Sequence, residues 1–266
     1  MEMSFQQYID NPMGKRNAVF SQRNMYKQLY TEKFDKVFLR EAGKINYTLY
    51  VDPKKDRYVA HIKVPSEIVK NFYYDAVILF YSNDPAVKMS SSLQDYYVKF
   101  FSNDPAFVFT YLRVFLKNDL FIEELKPKAS KLALKQDPKV TNPYEIPGYS
   151  KILYFAYLFM KSKNLFAKHM YTSFGVKYST KALVDAVEHT DIKIAQRQEL
   201  GAEQAKEQAK QKREERREQR TSSSSSEVYS PSGNIRNSKA VTQTRTTRTT
   251  KNVNTVKTTR KIPKKK

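Results

Sequence analysis

Residues 46–64 read Asn46-Tyr47-Thr48-Leu49-Tyr50-Val51-Asp52, then Pro53-Lys54-Lys55-Asp56, then Arg57-Tyr58-Val59-Ala60-His61-Ile62-Lys63-Val64. The flanks are short and rich in β-branched and aromatic residues, and the centre is turn chemistry, so the stretch predicts a β-hairpin. Two more runs of the same kind follow. Asp75–Ser82 contains Ala76-Val77-Ile78-Leu79-Phe80-Tyr81, and Asp95–Ser102 contains Tyr96-Tyr97-Val98-Lys99-Phe100-Phe101. Both read as strands with at least one buried face. Four strands in succession followed by helical periods predict an α+β fold, a small antiparallel sheet and then a helical layer.

Upstream of the hairpin, residues 22–41 predict a helix with Met25, Leu29, Val37 and Phe38 among its apolar positions and Ser21 as N-cap. The turn-rich Asn11-Pro12-Met13-Gly14-Lys15-Arg16 before it marks residues 1–20 as an N-terminal arm. Downstream, Phe107–Leu116 predicts a buried helix, and further helices are expected over Phe121–Lys135, Tyr149–Asn164 and Thr180–Ile194. From Gln196 to Arg220 the helical pattern continues with Leu200 as its one large apolar residue. Glu203–Lys206, Glu207–Lys210 and Glu214–Arg217 are opposite charges three apart that support a solvated helix. The small-residue stripe Ala195, Ala202, Ala205 and Ala209 offers a seat for a partner helix, but coiled-coil heptads are absent. The expected organisation is an arm (1–20), an α+β domain (21–195), a charged helix (196–220) and a disordered basic tail (221–266).

One segment recurs: Tyr81-Ser82-Asn83-Asp84-Pro85-Ala86 and Phe101-Ser102-Asn103-Asp104-Pro105-Ala106. Asp followed by Pro is a helix-start signal, the carboxylate capping and the proline preset at the first helical position. Two strand ends sharing the same stop chemistry explain the recurrence better than a duplicated site.

The chain has 266 residues and a formal charge of +21. Its 11 Lys/Arg against one Glu give residues 221–266 a charge of +10, and of 35 Tyr and Phe only Tyr229 lies beyond residue 195. A basic tail therefore follows an aromatic-rich body. The lack of cysteine excludes disulfides, thiolate metal sites and Cys nucleophiles. The six glycines are never closer than 26 residues, so the clustered-glycine loops that cradle phosphates cannot be written. The strongest apolar run, Ile152–Met160, is nine residues where a membrane span needs roughly 20. The sequence predicts no membrane association, no cofactor and a cytoplasmic location.

Within the tail, Arg245, Arg248, Lys251, Lys257 and Arg260 share one three-residue period, with Asn254 in the gap. Arg236 and Lys239 precede them, and Lys261, Lys264, Lys265 and Lys266 close the chain. Three residues make one turn of polyproline II, which would line these cations along one edge at about 9 Å intervals. Such a strand can track a nucleic-acid backbone, DNA or RNA, gaining affinity from counterion release without reading sequence. The expected function is therefore non-enzymatic and nucleic-acid-associated. The alternative is a structural or assembly protein whose tail meets an acidic protein neighbour.

Catalytic signals are sparse. His61, His169 and His189 carry no metal-ligand spacing, and each reads as structural or solvated. Glu124-Leu125-Lys126 with Asp104 or Asp119 fits the D…E-x-K pattern of a metal-dependent nuclease only by force, since that pattern sits on strands. The aromatics interleaved with lysine (Tyr73-Tyr74, Tyr96–Phe101, Lys151–Tyr157) read as core rather than as base-stacking platforms.

Phe101-Ser102-Asn103-Asp104-Pro105-Ala106-Phe107-Val108-Phe109-Thr110-Tyr111 and Asn142-Pro143-Tyr144-Glu145-Ile146-Pro147-Gly148-Tyr149 resemble stretches of proteins encoded by tailed bacteriophages of low-GC hosts. The resemblance spans about residues 45–170 and transfers no active residue. It implies a virion-associated or genome-associated protein rather than a metabolic enzyme.

Overall fold

In the computed structural model the described residues are 2–10, 28–36, 45–83, 92–135, 142, 145, 147–167 and 173–224, with side chains described through residue 219. The fold is α+β. Four strands form an antiparallel meander: β1 (Tyr47–Asp52), β2 (Arg57–Pro65), β3 (Tyr73–Tyr81) and β4 (Tyr97–Ser102). A two-residue β5 (Val176–Lys177) pairs parallel to β1, giving the order β4-β3-β2-β1-β5 and making the sheet mixed rather than purely antiparallel. Two residues without an apolar alternation leave no strand signature; β5 exists because it fills the free edge of β1.

The register explains why β2 and β3 read as near-continuous apolar runs. Opposed residues share a face, so Ala60, Ile78 and Phe100 point one way and Val59, Leu79 and Lys99 the other. Both faces of the central strands are covered. On the first lies α5 (Lys151–Ser162), capped by Ser150 and burying Leu153, Phe155, Phe159 and Met160. Each such side chain contributes roughly 1.5–3 kcal/mol. The helix at residues 28–36, which we call α2, packs on α5 through Phe34 against Phe155 at a ring separation of 5.7 Å. The rest of the helix expected over 22–41 lies outside the described residues. The second face carries residues 120–128 and the chain around residues 178–190, as in Phe101 against Phe121 (6.0 Å) and Arg57 with Glu124 (3.3 Å).

The first residues depart from expectation. Rather than belonging to an arm, Phe5–Asp10 form α1, with Phe5 and Tyr8 fully buried. Phe5 sits 5.0 Å from the Phe100 ring and 5.2 Å from Tyr157. Just before it, Val98 donates its N–H to Met3 (3.1 Å), and Ser4 bridges Tyr97. Phe100 similarly bonds Leu120 (2.7 Å) and Ile122 (3.3 Å). The outer edge of β4 is thus closed by two segments distant in sequence, a solution to the exposed-edge problem that local pattern does not reveal.

Two expected helices are broken. Over Phe121–Lys135 the structure has 3₁₀ turns at Glu123–Lys128 and then α4 (Lys131–Lys135). Pro127 supplies no N–H to continue a helix, and Ser130 accepts from Ala133 N–H (3.3 Å) to start α4. Over Thr180–Ile194, α6 (Thr180–Ala186) ends before α7 (Thr190–Ser224) begins. The N–H of Glu188 goes to the Asp75 carboxylate (3.1 Å) in place of a helical carbonyl, and the Thr190 hydroxyl bonds the Lys128 carbonyl (2.7 Å). Tertiary partners capture the groups that would have carried the helix across.

The repeated segment behaves as strand-stop chemistry where it is described. β3 ends at Tyr81 and β4 at Ser102. In the second copy Asp104 accepts from Phe107 N–H (3.0 Å), and a π-helical turn Phe107–Tyr111 leads into α3 (Leu112–Lys117). Asp84, Pro85 and Ala86 of the first copy lie outside the described residues.

A compact unit extends to Glu215, with a second from Arg216 onward. Along α7, buried Lys193 lies 4.6 Å from the Phe72 ring, and a Cβ placed on Gly201 would touch Val69. Residues 205–219 are exposed throughout.

Candidate functional site

The strand end Ser102-Asn103-Asp104 seeds two buried polar clusters, all three residues being at most 4% exposed. In the first, Asn103 mimics a strand partner. Its amide donates to Asp75 Oδ2 (2.7 Å) while its carbonyl accepts from Asp75 N–H (2.8 Å). Asp75 Oδ1 in turn meets His61 Nε2 at 2.7 Å. The imidazole and carboxylate are cross-strand neighbours on β2 and β3, both shut from solvent, and together they tie the sheet to the α6–α7 junction. The three donors fasten these elements to the buried Asp75 carboxylate, and of the two expectations for His61, structural or solvated, solvation is ruled out by its burial.

In the second cluster Asp104 Oδ2 accepts from Ser102 Oγ (2.9 Å) and Ser150 Oγ (2.7 Å). The N-caps of two helices are thereby joined. Burial pushes the Asp104 carboxyl above the usual carboxylate range, opposed by the donors from Ser150, Phe107, Ser102 and Ala106.

Beside Asp104 opens a cleft of about 240 Å³ lined by Glu67, Tyr74, Lys151 and Arg197 among others. Lys151 Nζ lies 2.5 Å from Glu67 Oε2, with Lys33 3.7 Å from the same oxygen. Burial raises the Tyr74 hydroxyl's pKa, and the Arg197 guanidinium partly counters it.

The carboxylates of the forced nuclease pattern serve different partners. Asp104 caps, Asp119 pairs with Lys99 (2.5 Å), and Glu124, in a 3₁₀ turn, meets Arg57 and the Tyr178 hydroxyl at 3.3 Å each. Among the described residues no group of three or more His, Asp or Glu side chains comes together as a metal site. Of the interleaved aromatics, Tyr74, Tyr96, Phe100, Phe101, Tyr154, Phe155 and Tyr157 are buried in the core, whereas Tyr73 and Tyr97 are half-buried. No helix among the described residues is long and apolar enough to cross a membrane.

The cations singled out in the sequence, Arg236, Lys239, Arg245, Arg248, Lys251, Lys257, Arg260, Lys261, Lys264, Lys265 and Lys266, lie outside the described residues, as does His169. No family model, curated protein or solved structure matches the chain.

Proposed function

We propose that this is a non-enzymatic, nucleic-acid-associated protein whose C-terminal cations bind the phosphate backbone without reading sequence. The observation that carries the proposal is the +10 charge of residues 221–266, with five cations on one three-residue period. Counterion release makes such an array effective on a polyanion and weak elsewhere. Internal use of the buried polar groups in the folded body is consistent with a scaffold role: Asp75, Asn103 and Asp104 spend their hydrogen bonds on the fold. The test is fluorescence anisotropy of the full chain on a labelled duplex across a salt series. It is compared with the full chain carrying Arg245→Gln, Arg248→Gln, Lys251→Gln, Lys257→Gln and Arg260→Gln. Five lost phosphate contacts should flatten the log–log salt slope by roughly 4–5. Equal, weak binding by both proteins would remove nucleic acid as the partner and direct the tail to an acidic protein surface.

A further inference from the structure

From Glu203 onward α7 sorts its charges by face, whereas Glu199, seven residues before Lys206, lies on the basic side. At about 100° per residue, Lys206, Lys210, Lys212 and Arg213 fall within one arc of roughly 160°. Glu203, Glu207, Glu214 and Glu215 fall within the complementary arc of about 120°. Arg216, Arg217 and Glu218 continue the same partition.

Opposite charges three or four apart each add about 0.2–0.5 kcal/mol to a solvated helix. This helix uses the three-residue spacing and fills the four-residue one mostly with like charges. Glu199–Glu203, Glu203–Glu207, Lys206–Lys210, Lys212–Arg216, Arg213–Arg217 and Glu214–Glu218 are all like-charged at that spacing. Lys210–Glu214 is the opposite-charged exception, and the other opposite charges meet three apart, across the seam between the faces. Like charges four apart and opposite charges three apart are the pattern that sets a basic face beside an acidic one.

We infer that this basic face of α7, built on Lys206, Lys210 and Arg213, is a second phosphate-contact surface and that it lies along the backbone of a nucleic-acid duplex. The inference rests on the nucleic-acid reading above but on different residues. A rigid helix holds these cations in a row of about 10 Å, at a rise of roughly 1.5 Å per residue, which suits the fixed phosphate rows of a duplex. Ala209, about 40° from Arg213 around the axis, leaves that edge of the face without bulk. The acidic arc begins about 20° beyond Lys210, at Glu203, and bounds the docking face on that side.

Other occupants fit less well. A membrane-surface helix needs an apolar face opposite its cations, and this one is acidic. Pairing with a second copy would rely on exposed ion pairs worth at most about 1 kcal/mol each, with no large apolar residue between 205 and 219.

The test uses three full-length proteins on a labelled duplex of about 30 base pairs: wild type, Lys206→Gln/Lys210→Gln/Arg213→Gln, and Glu203→Gln/Glu207→Gln/Glu214→Gln. Glutamine keeps helix propensity, and circular dichroism confirms that helicity is retained. The basic-face variant should lose roughly 2–3 from the salt slope and bind at least ten-fold more weakly at 0.1 M salt. The acidic-face variant should keep the wild-type slope, because its substitutions alter net charge without touching a contact. A wild-type slope in the basic-face variant overturns the inference while leaving the tail's role intact. Slopes that move equally and oppositely in the two variants also overturn it, since net charge rather than a face would then be acting. Absence of binding by wild type overturns both readings.

Discussion

Replacing Asp104 separates capping from charge. The carboxylate is 4% exposed and takes Ser102 Oγ, Ser150 Oγ and Phe107 N–H as donors. Asp104→Ala removes an N-cap, at about 1 kcal/mol, and strands two buried hydroxyls, at about 1–3 kcal/mol each before they rotate to other partners. A loss of about 3–5 kcal/mol is expected in urea unfolding. Asp104→Asn is the more discriminating change. Its carbonyl can still accept from Phe107 N–H, and its amide can donate to a serine hydroxyl that turns to accept. What it lacks is a charge to desolvate. Because burial raises the folded-state pKa of Asp104, the native protein binds this proton more tightly than the unfolded chain does. Below the unfolded pKa both states are protonated and there is no penalty. As pH rises from the unfolded pKa through the folded one, the unfolded chain ionises first and wild-type stability falls, by the desolvation cost less what the four donors return. The Asn variant has no such step. All other carboxylates cancel in the comparison, so the stability of Asp104→Asn relative to wild type should improve between pH 4 and pH 7. Urea midpoints for both proteins at the two pH values measure it. An unchanged difference, or one moving in wild type's favour, would refute the claim that burial dominates at this carboxylate.

Phe5→Ala should destabilise by about 3–5 kcal/mol, the range for a fully buried phenylalanine, because the ring packs on Phe100 and Tyr157. A thermal unfolding midpoint within 1 °C of wild type would return residues 5–10 to the status of an arm. Asp75→Ala leaves His61, Asn103 and the Glu188 N–H without their acceptor and should cost about 3–5 kcal/mol. Amide exchange should report it locally: the Glu188 N–H, protected in wild type, is expected to exchange faster in this variant at a pH where both remain folded.

The sequence by itself determined the meander. β1 to β4 begin and end within about two residues of their predicted bounds, because Pro53-Lys54-Lys55-Asp56 and the Ser-Asn-Asp-Pro stops are local chemistry with local consequences. Asp104 as a helix cap, the aromatic core and the long charged helix were legible for the same reason: periodicity and capping act over a few residues. Tertiary structure decided whatever depended on partners far along the chain. Phe5 and Tyr8 are core because the β4 edge needed covering, not because the first ten residues carry a helix signal. The break between α6 and α7 exists because Asp75, 113 residues away, takes the Glu188 N–H. Asn103 reads as a turn residue until the fold sets it against Asp75 and His61. The charge-sorted face of α7 belongs to both levels. Its period is written in the residues, but only the path of the helix beyond Gly201 decides that those faces meet water and not the body.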